Sequence, residues 1–126
     1  MSTHTLPEFT TPEVHSKGWG EELWIVNNNK YCGKLLKFKG GSKFSMHFHA
    51  MKHETWYVLE GTFTVGYIDP NNAEHIKKNL SVGDVVVIPP NLSHQLETTT
   101  VGTILEVSTQ HFEDDSYRVM PGDSQK

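Results

Sequence analysis

The chain has a single cysteine, Cys32, among 126 residues. One thiol closes neither an internal disulfide nor a CxxC zinc site, which points to a reducing, cytoplasmic setting. Long apolar runs are also missing. The longest, Val85-Val86-Val87-Ile88, falls far short of the ~20 residues that a membrane helix needs, so no membrane is expected. Met1 to Pro7 lack the basic start and apolar stretch of a signal peptide, again the expectation for a cytoplasmic protein. Positive charge is in deficit, with 11 Lys and Arg against 15 Asp and Glu, a net −4, so no basic patch calls for nucleic acid. No window holds a helical apolar stripe longer than two turns. The length allows one domain and excludes a separate nucleotide domain beside a substrate domain. What is abundant is histidine: eight residues, with His47, His49 and His53 close together.

Short β-branched and aromatic runs separated by turn residues dominate. Nine strands are predicted: 23–26, 31–38, 44–49, 54–59, 62–68, 75–80, 84–88, 94–97 and 102–109. Glu60-Gly61 reads as a tight hairpin, because glycine tolerates positive φ. Pro89 and Pro90 interrupt any ladder between their neighbours. This is an all-β sandwich or barrel. Residues 1–16 read as an extended arm, 17–120 as the barrel, and 121–126 as a flexible tail.

His47 and His49 are two apart on one strand, so their side chains leave from the same face. Glu54 follows after a short link, and His94 re-enters beyond Pro89-Pro90-Asn91. Imidazoles with a carboxylate, and no thiolate, suit one divalent transition metal ion: Mn, Fe, Co, Ni or Zn. Four protein ligands leave two octahedral positions free, the mark of a site that binds or reacts rather than staples. Proton competition should weaken such a site as pH falls through ~6.5. An exposed strand face with surface histidines would show the same HxH pair alone.

The wider spacing resembles the cupin superfamily. Gly41, His47-x-His49, Glu54 and Gly61 match its first motif at every position. Gly83, Pro89 and His94 match its second, with Asn91 at the usual glycine and Thr98 at the usual asparagine. Asn91 can adopt the left-handed turn that glycine takes there. The resemblance implies a double-stranded β-helix, or jelly-roll barrel, with His47, His49, Glu54 and His94 as metal ligands. It also implies a homodimer, with the arm as an exchanging element.

Two further stretches are similar to the sugar and sugar-phosphate isomerase cupins, among them mannose-6-phosphate isomerase domains and lyxose isomerases. They are Lys17-Gly18-Trp19-Gly20-Glu21-Glu22-Leu23-Trp24 and Leu105-Glu106-Val107-Ser108 followed by Glu113-Asp114-Asp115-Ser116-Tyr117-Arg118. Lys34-Leu35-Leu36 resembles the strand between them, whereas His47 replaces the glutamine usual in the first of those families. The implied function is aldose–ketose isomerisation of a small-molecule sugar or sugar phosphate. An Fe(II) dioxygenase and a non-catalytic carbohydrate-binding cupin are the alternatives, since the fold alone does not fix function.

For isomerisation, the proton-transfer base is expected at Glu106, which shares a face with Ile104 and Ser108. If that face points outward, Leu105 and Val107 fill the core instead. Lys34 shares a face with Leu36 and Phe38. Its ammonium reaches the site if that face is interior, and water if the strand is an edge. Arg118 is the candidate for an anionic substrate group, unless it pairs with Asp114 or Asp115. Lys52 and His53, in the link between ligand strands, are candidates for phosphate or hydroxyl contacts, or are solvated. Trp19, Trp24 and Trp56 either stack on sugar faces or fill the core.

Overall fold

A computed structural model describes residues 5–126. Among them are twelve strands and one short 3₁₀ turn, Asp123–Gln125, and no helix is long and apolar enough to cross a membrane. The strands are β1 (Glu13–Lys17), β2 (Gly20–Asn27), β3 (Cys32–Phe38), β4 (Ser42–Lys43), β5 (Met46–Phe48) and β6 (Glu54–Glu60). They continue as β7 (Phe63–Ile68), β8 (His75–Leu80), β9 (Val85–Ile88), β10 (His94–Thr98), β11 (Gly102–Ser108) and β12 (Tyr117–Met120). Two antiparallel sheets form. One runs β1-β2-β3-β11-β6-β9, the other β12-β5-β10-β7-β8 with β4 also on β10.

This is the expected all-β jelly-roll barrel. Period-2 alternation puts Leu36, Phe38, Trp56, Val58 and Ile104 of the first sheet against Phe63, Val65, Leu80 and Leu96 of the second. Trp19 caps one end, stacked on Phe38 at 4.4 Å. The aromatic and aliphatic core fills that end of the barrel and leaves the other to polar side chains.

Three readings of the sequence change. Of the segment read as an arm, residues 1–4 lie outside the described residues, 5–12 carry no regular structure, and Glu13–Ser16 belong to β1, paired with β2. Residues 121–126, read as a tail, are hydrogen-bonded to the barrel: Ser124 Oγ accepts from the Gly18 N–H at 3.0 Å, and Asp123 Oδ2 from that of Lys43 at 2.9 Å. Finally, β6 and β7 do not form a hairpin, because they lie in different sheets. Gly61 turns a corner between the sheets at φ +80°, and local turn chemistry cannot tell a corner from a hairpin.

The corner makes Gly61 stricter than Gly83. A Cβ at Gly61 would lie 2.5 Å from the Val101 carbonyl oxygen, whereas one at Gly83, also at positive φ, would meet open space. Gly83→Val should cost ~1–2 kcal/mol from backbone strain alone. Gly61→Val should cost clearly more, because the 99–101 loop must also move. Urea denaturation of the two variants checks this, and equal stabilities would refute the clash.

Candidate metal centre and active site

β5 delivers His47, the residue just past its end delivers His49, and β10 opens with His94. His47 and His94 are direct cross-strand partners, so their side chains leave from one face. The turn before His94 is held by Asn91, at φ 69°, whose N–H donates to the His49 carbonyl at 2.7 Å. One ligand atom from each of the three imidazoles gathers within 4.8 Å of the others.

Every Nδ1–H of the trio donates to a backbone carbonyl: His47 to Ser45 at 2.8 Å, His49 to Asp115 at 2.6 Å, His94 to Leu92 at 2.8 Å. That fixes the tautomer and leaves each Nε2 lone pair for a metal. His94 Nε2 and Glu54 Oε2 are both buried without a hydrogen-bond partner. Orphaned buried polar atoms are costly, and a bound cation would satisfy His94 Nε2 and share Glu54 Oε2 with the Lys52 ammonium 3.3 Å away. Glu54 adjoins the trio through Oε2, 3.4 Å from His49 Nε2, while its Oε1 accepts from the Trp56 indole at 2.7 Å. The donor set fits a divalent first-row ion.

The inward face of the first sheet supplies the rest. Lys34 and Glu106 are cross-strand partners on β3 and β11 and are only 2% and 3% exposed. Neither outward alternative holds, since β3 lies between β2 and β11 and is no edge. Lys52 is also buried, with Nζ 3.2 Å from Glu106 Oε2 and 3.3 Å from Glu54 Oε2. It therefore bridges two carboxylates instead of reaching into solvent. His53 is exposed and is engaged through its backbone, its N–H donating to Thr109 Oγ1 and its carbonyl accepting from the Thr109 N–H.

Arg118 faces His47 across β12 and β5 and lines the same cavity. Among the described residues it forms no ion pair. Asp115 does something else: its carboxylate accepts from the backbone N–H groups of Ala50, Met51 and Lys52 at 2.8–3.2 Å. It thereby ties the loop between β11 and β12 to the link that carries His49 and Lys52. The tryptophans are not sugar platforms. Trp19 and Trp56 are buried, and Trp24 is covered by His15 stacked at 3.9 Å and by Lys34 Nζ at 4.3 Å.

Three site residues escaped the sequence reading. Glu22 accepts from the Trp24 indole at 2.8 Å and pairs with Lys34 at 3.4 Å. Its period-2 relation to Trp24 was the available signal. His111, which lines the cavity, and Asp115 lie in an irregular loop, where no periodicity marks a face. The Asn27 side chain holds the His111 backbone at both its N–H and its carbonyl. The cavity holds about 250 Å³, just below the ~300–1,000 Å³ of pockets for drug-sized ligands, so a small polar molecule fits.

Burial pushes the Glu106 carboxyl above the usual range and the Glu54 charge adds to this, with Lys52 pulling the other way. Burial opposes the Lys52 charge, but Glu106 and Glu54 outweigh it and hold the ammonium firmly protonated. For Glu22 burial is likewise outweighed, by Lys34 and the Trp24 N–H, and its carboxyl sits below its ordinary value. Burial lowers all three imidazoles of the trio, His49 to about 4 with help from Lys52.

These shifts correct the expected pH dependence. A lowered imidazole pKa means the folded site takes up protons only well below the unperturbed ~6.5. Metal affinity should stay flat from ~pH 8 to ~pH 6 and fall as the solution approaches the His49 value, about 4. The metal-free fold loses stability over a higher window, from ~6.5 downward, where the unfolded chain binds protons that the folded one refuses. Competitive chelator titrations across pH check the first statement. A midpoint near ~6.5 would contradict it.

Residues 20–116 match the family described as Cupin. No curated protein matches the chain by sequence. Among solved structures it is similar to the capsular polysaccharide assembling protein CapF from Staphylococcus aureus, at 19% identity and TM-score 0.77, over 94% of this chain and 33% of that one. Oxalate decarboxylase from Bacillus subtilis is similar at 15% identity and TM-score 0.78, over 92% and 34%. The chain spans about a third of these structures, and likeness at such identities carries the fold.

Proposed function

The chain belongs to the cupin family, and on that premise we propose that it is a metal-dependent isomerase of a small sugar or sugar phosphate. The observation that carries this reading is one cavity lined by two chemistries: His47 and His49 of the tautomer-fixed trio, with buried His94 clustered beside them, and a buried carboxylate, Glu106, with a raised pKa. His47, His49 and His94, with Glu54, would hold one divalent ion. That ion, when bound, would supply Lewis acidity to the substrate's carbonyl and hydroxyl oxygens.

Aldose–ketose exchange moves one proton between adjacent carbons. Glu106 takes it from C2 and returns it to C1, while a hydroxyl proton passes from O2 to O1, so nothing is oxidised overall. A carboxyl raised above the usual carboxylate range suits both halves of that task. Lys52 holds Glu106 in place by the 3.2 Å hydrogen bond, and Lys34, directly opposite, keeps positive charge beside it. Arg118, projecting from the His47 face, binds an anionic substrate group.

The test is elemental analysis of the purified protein, followed by an anaerobic panel of aldoses, ketoses and their phosphates with a redox-silent ion restored. Isomer formation without oxygen is the expected result. Turnover only with iron and oxygen would mean a dioxygenase, and sugar binding without turnover under any metal would mean a carbohydrate-binding cupin.

A further inference from the structure

The proposed proton transfer occupies one part of the cavity, where the imidazoles face Glu106. The inward row of the first sheet continues beyond it. From Glu106 on β11 the row passes to Lys34 on β3 and then to Trp24 on β2, each the cross-strand partner of the one before. Glu22, two residues before Trp24, shares that face. His111, from the loop between β11 and β12, packs edge-on against Trp24 at 5.0 Å. Glu22, Lys34 and His111 all line the cavity.

These three side chains are fixed in place yet keep unused hydrogen-bonding capacity. Glu22 Oε1 accepts from the Trp24 indole at 2.8 Å and from Lys34 Nζ at 3.4 Å, and among the described residues nothing donates to Oε2. That long contact is also the only hydrogen bond among the described residues of the Lys34 ammonium, which has three N–H groups and is 2% exposed. Asn27 clamps the backbone of His111, but His111 Nδ1 is buried without a partner. Burial, Lys34 and Lys52 push this imidazole down to about 3, so the ring is neutral and offers one donor and one acceptor. Buried polar groups are ordinarily satisfied. Three under-used ones in a single cavity call for polar ligand atoms.

Building on the isomerase reading, we infer that Glu22, Lys34 and His111 form a second subsite, which binds the far hydroxyls of an open-chain sugar of five or six carbons. Charge selects hydroxyls. A phosphate beside Glu22 would be repelled, and an apolar tail would leave Lys34 and His111 unpaired. A hydroxyl gives its proton to a carboxylate and accepts from an ammonium at once. Lys17 and Glu113 also line the cavity, again one of each sign. Length follows from strand spacing: β2 lies two strands from β11, ~10 Å away. With C2 ~3 Å from Glu106, a chain advancing ~1.2 Å per bond and a hydrogen bond of ~3 Å cover that distance at the C4 or C5 hydroxyl. A triose ends short of it.

Titration calorimetry of the manganese-loaded protein with two hydroxamates tests the subsite. Both chelate the ion through the hydroxamate group. Glycolohydroxamate ends there, whereas the five-carbon arabinonohydroxamate carries the far hydroxyls. Wild type should bind the longer compound ~10²-fold more tightly, about tenfold for each hydroxyl bonded to a charged group. Glu22→Gln and His111→Phe should each remove about tenfold of that advantage, the loss falling on the longer compound. Circular dichroism checks their folding, and the comparison of the two compounds on wild type needs no variant. Equal affinity of wild type for both, binding of neither, or an advantage that survives both substitutions would overturn the subsite. An advantage lost in the variants, in a protein that forms no isomer in the anaerobic panel, would uphold the subsite and refute the isomerase reading alone.

Discussion

Glu106→Gln should keep the barrel and its metal yet lose ~10²–10⁴-fold in turnover, the share that general acid–base catalysis supplies. The change is isosteric, and Glu106 is not among the three clustered imidazoles. A neutral amide oxygen can still accept from Lys52 Nζ, 3.2 Å away in the native protein. The amide cannot carry a proton between carbons. Metal stoichiometry should be unchanged and the variant should still fold, at lower stability because one charge of the buried cluster is gone, and single-turnover isomerisation should show the loss. Because burial and Glu54 raise the native carboxyl, the wild-type rate should rise with pH through a value above the ordinary ~4.3 of glutamate. The residual rate of the variant should lack that limb. An active Gln variant would mean that another group moves the proton.

Lys52→Met has the second large effect, and it falls on stability. Lys52 is the cation within 3.3 Å of both Glu54 and Glu106, and all three are buried. Removing one member of a buried ion cluster leaves uncompensated charge, at a cost of ~3–5 kcal/mol. The sign of the pH dependence follows. Without Lys52 the Glu106 carboxyl rises further, so the folded variant holds a proton that the unfolded chain releases, and its stability falls as pH increases. The deficit relative to wild type should be smallest under acid conditions and grow toward alkaline ones. Bound metal should shrink it, since a divalent ion beside Glu54 replaces part of the missing charge. Urea titrations at two pH values, with and without manganese, would show this. A pH-independent deficit would mean lost packing of the lysine stem rather than lost charge.

Physical rules acting over a few residues explain how much was legible. The HxH spacing and the following glutamate place ligands by strand parity, and Asn91 and Gly61 adopt the positive φ that their positions demanded. Period-2 alternation grouped Lys34 with Leu36 and Phe38, and Glu106 with Ile104. These groupings survive intact in the barrel. What parity cannot supply is the side on which the core forms. The outer rows are as apolar as the inner ones, so Leu105 and Val107 compete with Glu106 for the interior on composition alone.

By itself, then, the sequence determined an all-β barrel with three histidines gathered where they could hold a metal ion, because turn residues, strand parity and ligand spacing are all short-range properties. Only the tertiary structure decided that Lys52 lies between Glu54 and Glu106, that Asp115 anchors the link after His49, and that Gly61 turns between sheets. Those contacts join residues up to 66 apart in the chain, as from His49 to Asp115. Their geometry comes from which strands pair across the barrel, a choice set by burying all the apolar faces at once rather than by any local pattern.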